Sequence, residues 1–297
     1  MNTMNKTFRL LSGLMLFATA AYLTSCGNDD ETLASADKQS VSSESSSDSY
    51  FEDAEDISAS VTFASNSDLG GRTSGLIDER LAGATITLSE GATENAGIIT
   101  VDFGEGVTVG GVERKGKIII TYEGQGGRLA VGNSHSITFE NFFVNGVKIE
   151  GTRTVEVSAK TETYITHEIT LTGGKITWDA GTANETSATR TSHHFRKWTH
   201  NGDLIRSNDE VALLEGGTAS GTNRDEVEYS MQITKDIVFK ASCAIAKKFM
   251  PSSGEKILVI GGNSARAITI NYGTGDCDNS ITVTINGKTT TVTVSRG

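Results

Sequence analysis

From Ser58 to the C-terminus, apolar and polar residues alternate with a period of two. Runs such as ASVTFA (Ala59–Ala64), ATITLS, GIITVDF, KIIITYE, HEITLT, KITWDA and SITVTIN are β-branched, short, and bounded by Gly, Asn, Asp and Ser. The pattern predicts roughly a dozen strands or more. The single proline, Pro251, falls between two runs, where a loop belongs. Only ASCAIAKKFM (Ala241–Met250) reads as a helix. The expected fold is therefore all-β, with antiparallel hairpins forming a sandwich or an extended curved sheet.

Turn chemistry sets register in two places. A two-residue Asn286-Gly287 turn pairs Ile285 with Lys288, Val283 with Thr290 and Ile281 with Val292, which gathers Ile281, Val283, Ile285, Val292 and Val294 on one face. In HSITFENFFVNGVKIEGTRTVEV, a two-residue Asn145-Gly146 turn would set Ile137, Phe139 and Phe143 against Lys148, Thr152 and Thr154. A three-residue loop, Val144-Asn145-Gly146, instead puts Ile137, Phe139, Phe143, Val147, Ile149, Val155 and Val157 together, so the apolar pattern prefers the bulged turn, with Phe139 facing Gly151.

Two octets are nearly alike: ITVDFGEG (Ile99–Gly106) and ITINYGTG (Ile268–Gly275), 169 residues apart. Each leads into another strand and not into a helix N-terminus, so positive φ at Gly104 and Gly273 in a turn is the better reading than a phosphate cradle. The similar flanks suggest two related halves, residues 58–172 and 173–297. The succession ITVDFGEG, RKGKIIITYEG, SITFENFFVNGVKIEGTRTVEV, KITWDAGTA and INYGTGDCDNSITVTING resembles a family of uncharacterised β-rich lipoproteins from Bacteroidota. That resemblance implies an all-β secreted or anchored domain and no catalytic residues.

The N-terminus changes the picture of where such a domain works. Lys6 and Arg9 precede the apolar stretch Leu10–Leu23, which has the length and flanks of a secretory signal. Leu23-Thr24-Ser25-Cys26 looks like a bacterial lipobox, so residues 1–25 are expected to be cleaved and Cys26 to carry diacylglycerol and acyl chains such as palmitate. At about 0.8 kcal/mol per buried methylene, such chains would hold the protein on a membrane. Residues 27–57 contain ten Asp or Glu and one Lys, a net of minus nine out of minus eleven for the whole chain. Their composition predicts an acidic disordered tether over 26–57. Asn28-Asp29-Asp30-Glu31 resembles the export signal of Bacteroidota surface lipoproteins, which favours the cell-surface side of the outer membrane over its periplasmic face.

Candidate chemistry is sparse. Beyond Ser58 the net charge is about minus four, too mild to imply a charged partner, and no nucleic-acid partner is expected. Cys243 and Cys277, in an exported chain, are expected to form a disulfide worth about 3 to 4 kcal/mol. His193, His194 and His200 lie on one run, where a straight strand would hold His194 and His200 about 20 Å apart, too far for one metal. Asp276, Asp278 and Asn279 lack the spacing of a calcium loop. Trp178, Phe195 and Trp198 fall on adjacent strands and are the candidate ligand platform, suited to stacking sugar rings. No catalytic set, metal set or cofactor site emerges. The expected function is that of a lipid-anchored envelope protein with a non-catalytic binding or structural role, its partners the membrane and a glycan or envelope protein. The alternatives are a glycan-binding surface module and a surface hydrolase of glycans or peptides, the latter requiring a pocket with two free carboxylates.

Overall fold

The computed structural model describes residues 35–64, 79–200, 208–245, 250–262, 267–278 and 280–293. The signal segment, Cys26 and the Asn28–Glu31 cluster lie outside these. The described residues form one antiparallel sheet of fifteen strands: β1 (Thr85–Leu88), β2 (Ala96–Asp102), β3 (Val107–Val109), β4 (Val112–Glu123), β5 (Ser134–Val144), β6 (Val147–Lys160), β7 (Tyr164–Trp178), β8 (Thr186–Thr199), β9 (Glu210–Leu213), β10 (Thr218–Thr222), β11 (Glu228–Lys240), β12 (Ser253–Ile260), β13 (Ala267–Thr274), β14 (Ser280–Ile285) and β15 (Lys288–Thr293). The order is a meander from β1 to β15. β3 pairs with β4, while β9 and β10 are two pieces of one broken strand that fill the same slot between β8 and β11. The expected division at 172/173 falls inside β7, so one continuous sheet runs through it.

The largest departure is at the N-terminal side. Ser35–Ala64 is a single helix, α1, where composition predicted a disordered tether to residue 57 followed by a strand, ASVTFA. The reason is tertiary. Buried positions recur every three or four residues (Ser40, Ser43, Glu44, Ser47, Phe51, Ala54, Glu55, Ser58, Val61, Thr62), a helical face that gains partners only inside the sheet. Between Ser40 and Thr62 only Ser45 and Ser49 are exposed. Val61 is β-branched, yet it sits one turn after Ile57, and both enter the core with Phe51 and Ala54.

The sheet curls around this helix, because α1 touches β4, β5, β8 and β12, which lie far apart in the strand order. Offset registers help it bend. At Gly116 (φ +81°) a Cβ would fall 1.9 Å from the Asn141 carbonyl oxygen, so β4 and β5 approach there only because the residue is glycine. Asn141 opposite has φ +47°, and the pairing skips between Lys115 and Lys117. A neighbouring skip lies at Gly151 on β6, whose added Cβ would be 2.9 Å from Gly174.

That bulge also settles the second hairpin. Val144 pairs with Val147 across a two-residue Asn145-Gly146 turn, and the irregularity between Thr138 and Phe142 restores parity inside the strand. Phe142, not Phe143, is therefore the fully buried ring, stacked at 5.6 Å on Phe139, which in turn packs 6.3 Å from Phe51 of α1. The C-terminal hairpin has the expected register, Ile285 with Lys288 through Ile281 with Val292.

Three apolar clusters line the inner face. One joins β2 and β4–β7 to Phe51, Ala54, Ile57 and Val61 of α1; one joins β9–β15 and, among the described side chains, takes only Val41 from α1; a small one holds Leu129, Val157 and Ile165 beneath Trp198. The two octets build the same local device. Ile99, Val101 and Phe103 face inward from the first, and Ile268, Ile270 and Tyr272 from the second. In each, a side-chain oxygen accepts from the glycine amide two residues on, Asp102 from Gly104 and Asn271 from Gly273, and both glycines have positive φ. Nine antiparallel pairings separate β2 from β13 (β2–β4–β5–β6–β7–β8–β10–β11–β12–β13), so the two strands run in opposite directions and their turns lie at opposite ends of the sheet.

Candidate functional site

The chemistry of this molecule is concentrated where α1 meets the sheet. On α1 the carboxylates of Glu44, Asp48, Glu52 and Asp56 recur every fourth residue, which places them in one stripe along the helix. On β8 the period of two turns Ala188, Arg190, Ser192, His194 and Arg196 inward, all buried. Arg153 of β6, Arg114 of β4 and Lys256 of β12 complete a basic lining.

The two sets meet residue by residue. Arg190 donates to Glu44 at 3.1 Å and to Asp48 at 2.8 Å, and Lys256 Nζ donates to the other Glu44 oxygen at 2.9 Å. Arg153 donates to Glu52 at 2.6 Å and approaches Glu55 to 3.0 Å without the alignment of a hydrogen bond. Arg196 donates to Asp56 at 2.6 Å. Asp53 accepts from Arg114 through both oxygens, at 3.0 and 2.8 Å, and from Arg80 at 3.1 Å. Polar contacts fix the start of the helix: Asn223 donates to Ser40 Oγ at 2.9 Å, and the Arg224 amide to Ser43 Oγ.

Burial and charge compete throughout this seam. Burial alone would raise Glu52; the Arg153 and Arg196 charges outweigh it and hold the carboxyl below its ordinary range. Asp48 is likewise held low against burial, by Arg190 and Lys256. For Glu55 burial wins over Arg153 and the acid is pushed up. Lys256 would be lowered by burial, but Glu44, Tyr272 and Asp48 drive it upward. Three histidines flank the seam as neutral rings. Burial, then the Arg153 charge, takes His135 down to about 4; burial, Arg196 and His135 take His167 to about 3; burial and Arg153, against the opposing pull of Glu52, take His194 to about 4.

The aromatic platform is not assembled. Trp178 stands opposite Thr186 and Trp198 opposite Ile165, which puts them twelve positions apart along β8, or about 40 Å. Both are half-buried on the inner side: Arg224 stacks 4.5 Å over Trp178, and Trp198 donates to Asp209 at 3.3 Å. Phe195 lies on the other face, edge-on to His193 at 5.6 Å. Cys243, in the short helix α2 (Ala241–Ile245), is bonded to Cys277, tying the end of β11 to the segment after β13. Among the described residues no group of three His, Cys, Asp or Glu is arranged to hold a metal ion. Asp278 accepts from the Ser280 amide, an Asx turn. A shallow polar groove of about 470 Å³ lies between the β2, β4 and β5 ends, lined by Asn95, Glu123, Gln125, Asn133 and Ser134.

The seam residues were readable in principle. Glu44, Asp48, Glu52 and Asp56 at four-residue spacing form a helical signal, and Arg190-x-Ser192-x-His194-x-Arg196 is a strand with a polar inner face. Neither stands out when only apolar periodicity is followed. No family model matches this chain, and neither a curated protein nor a solved structure does.

Proposed function

We propose that this chain is a lipid-anchored protein of the cell envelope, attached through Cys26 at the outer membrane and facing the cell surface, with a binding or structural role and not a catalytic one. The observation that carries the non-catalytic reading is the pairing of the interior carboxylates. A hydrolase needs two carboxylates whose lone pairs are free for acid–base work, about 5 to 10 Å apart. Here Glu44, Asp48, Glu52 and Asp53 each accept from an Arg or Lys of the sheet. Support for the anchor comes from Leu23-Thr24-Ser25-Cys26 and from its place only nine positions before Ser35, the first residue of α1. At about 3.5 Å per residue, that spacing keeps the domain within about 30 Å of its lipid. The groove beside Asn95 and Gln125 lacks the exposed aromatic floor expected of a sugar platform, so the structural reading stands ahead of the glycan-binding one.

Globomycin, which blocks lipoprotein signal cleavage, tests the anchor. Precursor should accumulate on treatment, and palmitate labelling should vanish in Cys26→Ala. Unchanged processing and labelling would overturn it.

A further inference from the structure

We propose that the basic inner face of the sheet is a recognition site for an acidic helix carrying a carboxylate every fourth residue, that α1 is its displaceable intramolecular occupant, and that the site accepts the same helix from a second copy of this chain. The proposal does not depend on lipid anchoring.

Four observations carry it. First, α1 is a poor helix by itself. Ten of its thirty residues are serine, and seven acids face one lysine, so intrinsic propensity and self-repulsion both oppose it. Its helicity is supplied by the site, as for a segment that folds on binding.

Second, the recognition is electrostatic and spaced. Glu44, Asp48, Glu52 and Asp56 meet Arg190 with Lys256, Arg190, Arg153 and Arg196 in turn. With α1 docked, Arg153, Arg190 and Lys256 are buried, so an occupant that seals this face must bring a carboxylate to each. The site is therefore selective for charge spacing.

Third, the N-terminal half of the fit has the polar character of an exchangeable interface, while Phe51, Ala54, Ile57 and Val61 of the C-terminal half enter the apolar cluster of β2 and β4–β7. Serines 40, 43, 47 and 58 are buried along the helix, and at the seam Ser47 Oγ, Arg196 Nε and His194 Nε2 have no protein hydrogen-bond partner. Among the described side chains, the cluster of β9–β15 takes a single apolar residue, Val41, from α1.

Fourth, the curl has a way to open. β1 pairs only with β2 and β15 only with β14 among the described strands, so the sheet's two edges can part without breaking a ladder. Residues 65–78 join α1 to the sheet and, fully extended, reach about 45 Å, enough to pass the helix to a neighbour.

The test uses the full chain with a protease site inserted between residues 70 and 71. After cleavage, a fluorescent peptide of residues 35–64 should enter the sheet and co-elute with it at neutral pH. Intact protein at micromolar peptide should take up at least about tenfold less, because its own helix competes at millimolar effective concentration. A peptide with Glu44→Gln, Asp48→Asn, Glu52→Gln and Asp56→Asn should not enter. Where cleavage by itself unfolds the sheet by far-UV circular dichroism, recovery of the β signal on adding the acidic peptide, and not the amide one, supports the site equally. No uptake, no recovery, or equal uptake of the amide peptide would overturn the recognition site. Intact chain added to cleaved protein should give a heavier species; its absence while the peptide still exchanges would overturn donation by a second copy.

Discussion

The two ends of α1 are held in different ways. From Ser40 to Ser47 the buried residues are three serines, Val41 and Glu44, and the segment is fixed by Glu44 against Arg190 and Lys256 and by Asn223 on Ser40. From Phe51 to Thr62 the helix sinks Phe51, Ala54, Ile57 and Val61 into the apolar cluster of β2 and β4–β7, with carboxylates on its flanks. Apolar burial is non-directional and would tolerate a shifted helix, whereas a carboxylate stripe facing fixed guanidinium groups accepts one register. The first half of the helix thus sets position and the second half supplies most of the binding energy.

The largest effects expected are those that break a buried pair. Arg190→Met leaves Glu44, fully buried, with Lys256 alone, and should cost about 3–5 kcal/mol in urea unfolding. Ile57→Ala opens a cavity in the other half and should cost about 2–5 kcal/mol, insensitive to salt and pH. A loss for Arg190→Met below 1 kcal/mol would erase the contrast between the two halves.

Acid should act on the charged seam. His135, His167 and His194 have folded values of about 4, 3 and 4 against 6.5 unfolded, so their stabilisation is complete above pH 6.5 and is lost as pH falls toward those values. The depressed Asp48 and Glu52 act in the same direction at lower pH, while the raised Glu55 opposes them. For His194 alone the loss is about 3 kcal/mol between pH 6.5 and 4. Thermal unfolding from pH 7.5 to 4.5 should show the fall, and His194→Gln should flatten it.

Smaller effects mark the limits. Gly287→Ala forces a side chain to φ +77° in the β14–β15 turn and should cost about 1–2 kcal/mol, leaving α1 untouched. Lys115→Ala removes an exposed pair with Glu105, whose side chain is 96% accessible, and should change stability by less than about 0.5 kcal/mol.

The sheet was legible because period two and turn chemistry act locally: Asn286-Gly287 fixes its register with no help from elsewhere. The second hairpin was not, because its parity is decided across strands. The bulge at Asn141 exists where Gly116 of the neighbouring strand lets the backbone close in, a contact no reading of the hairpin's own residues contains. The helix was hidden for a related reason. Its partners are charges on strands up to 212 residues away, so a segment with the composition of a disordered spacer folds once Lys256 and the arginines meet it. The aromatic platform failed because adjacency of strands says nothing about position along them, and Trp178 and Trp198 sit near opposite ends of theirs.

Amide hydrogen exchange over Ser40–Thr62 in the full chain tests most directly whether the acidic segment is part of the folded interior. At neutral pH these amides should be protected to the degree of those in β6–β8, with protection falling near pH 4 as the histidines charge. Exchange at the rate of an unstructured peptide at neutral pH, with the sheet amides still protected, would contradict the docked helix and everything built on its carboxylate stripe.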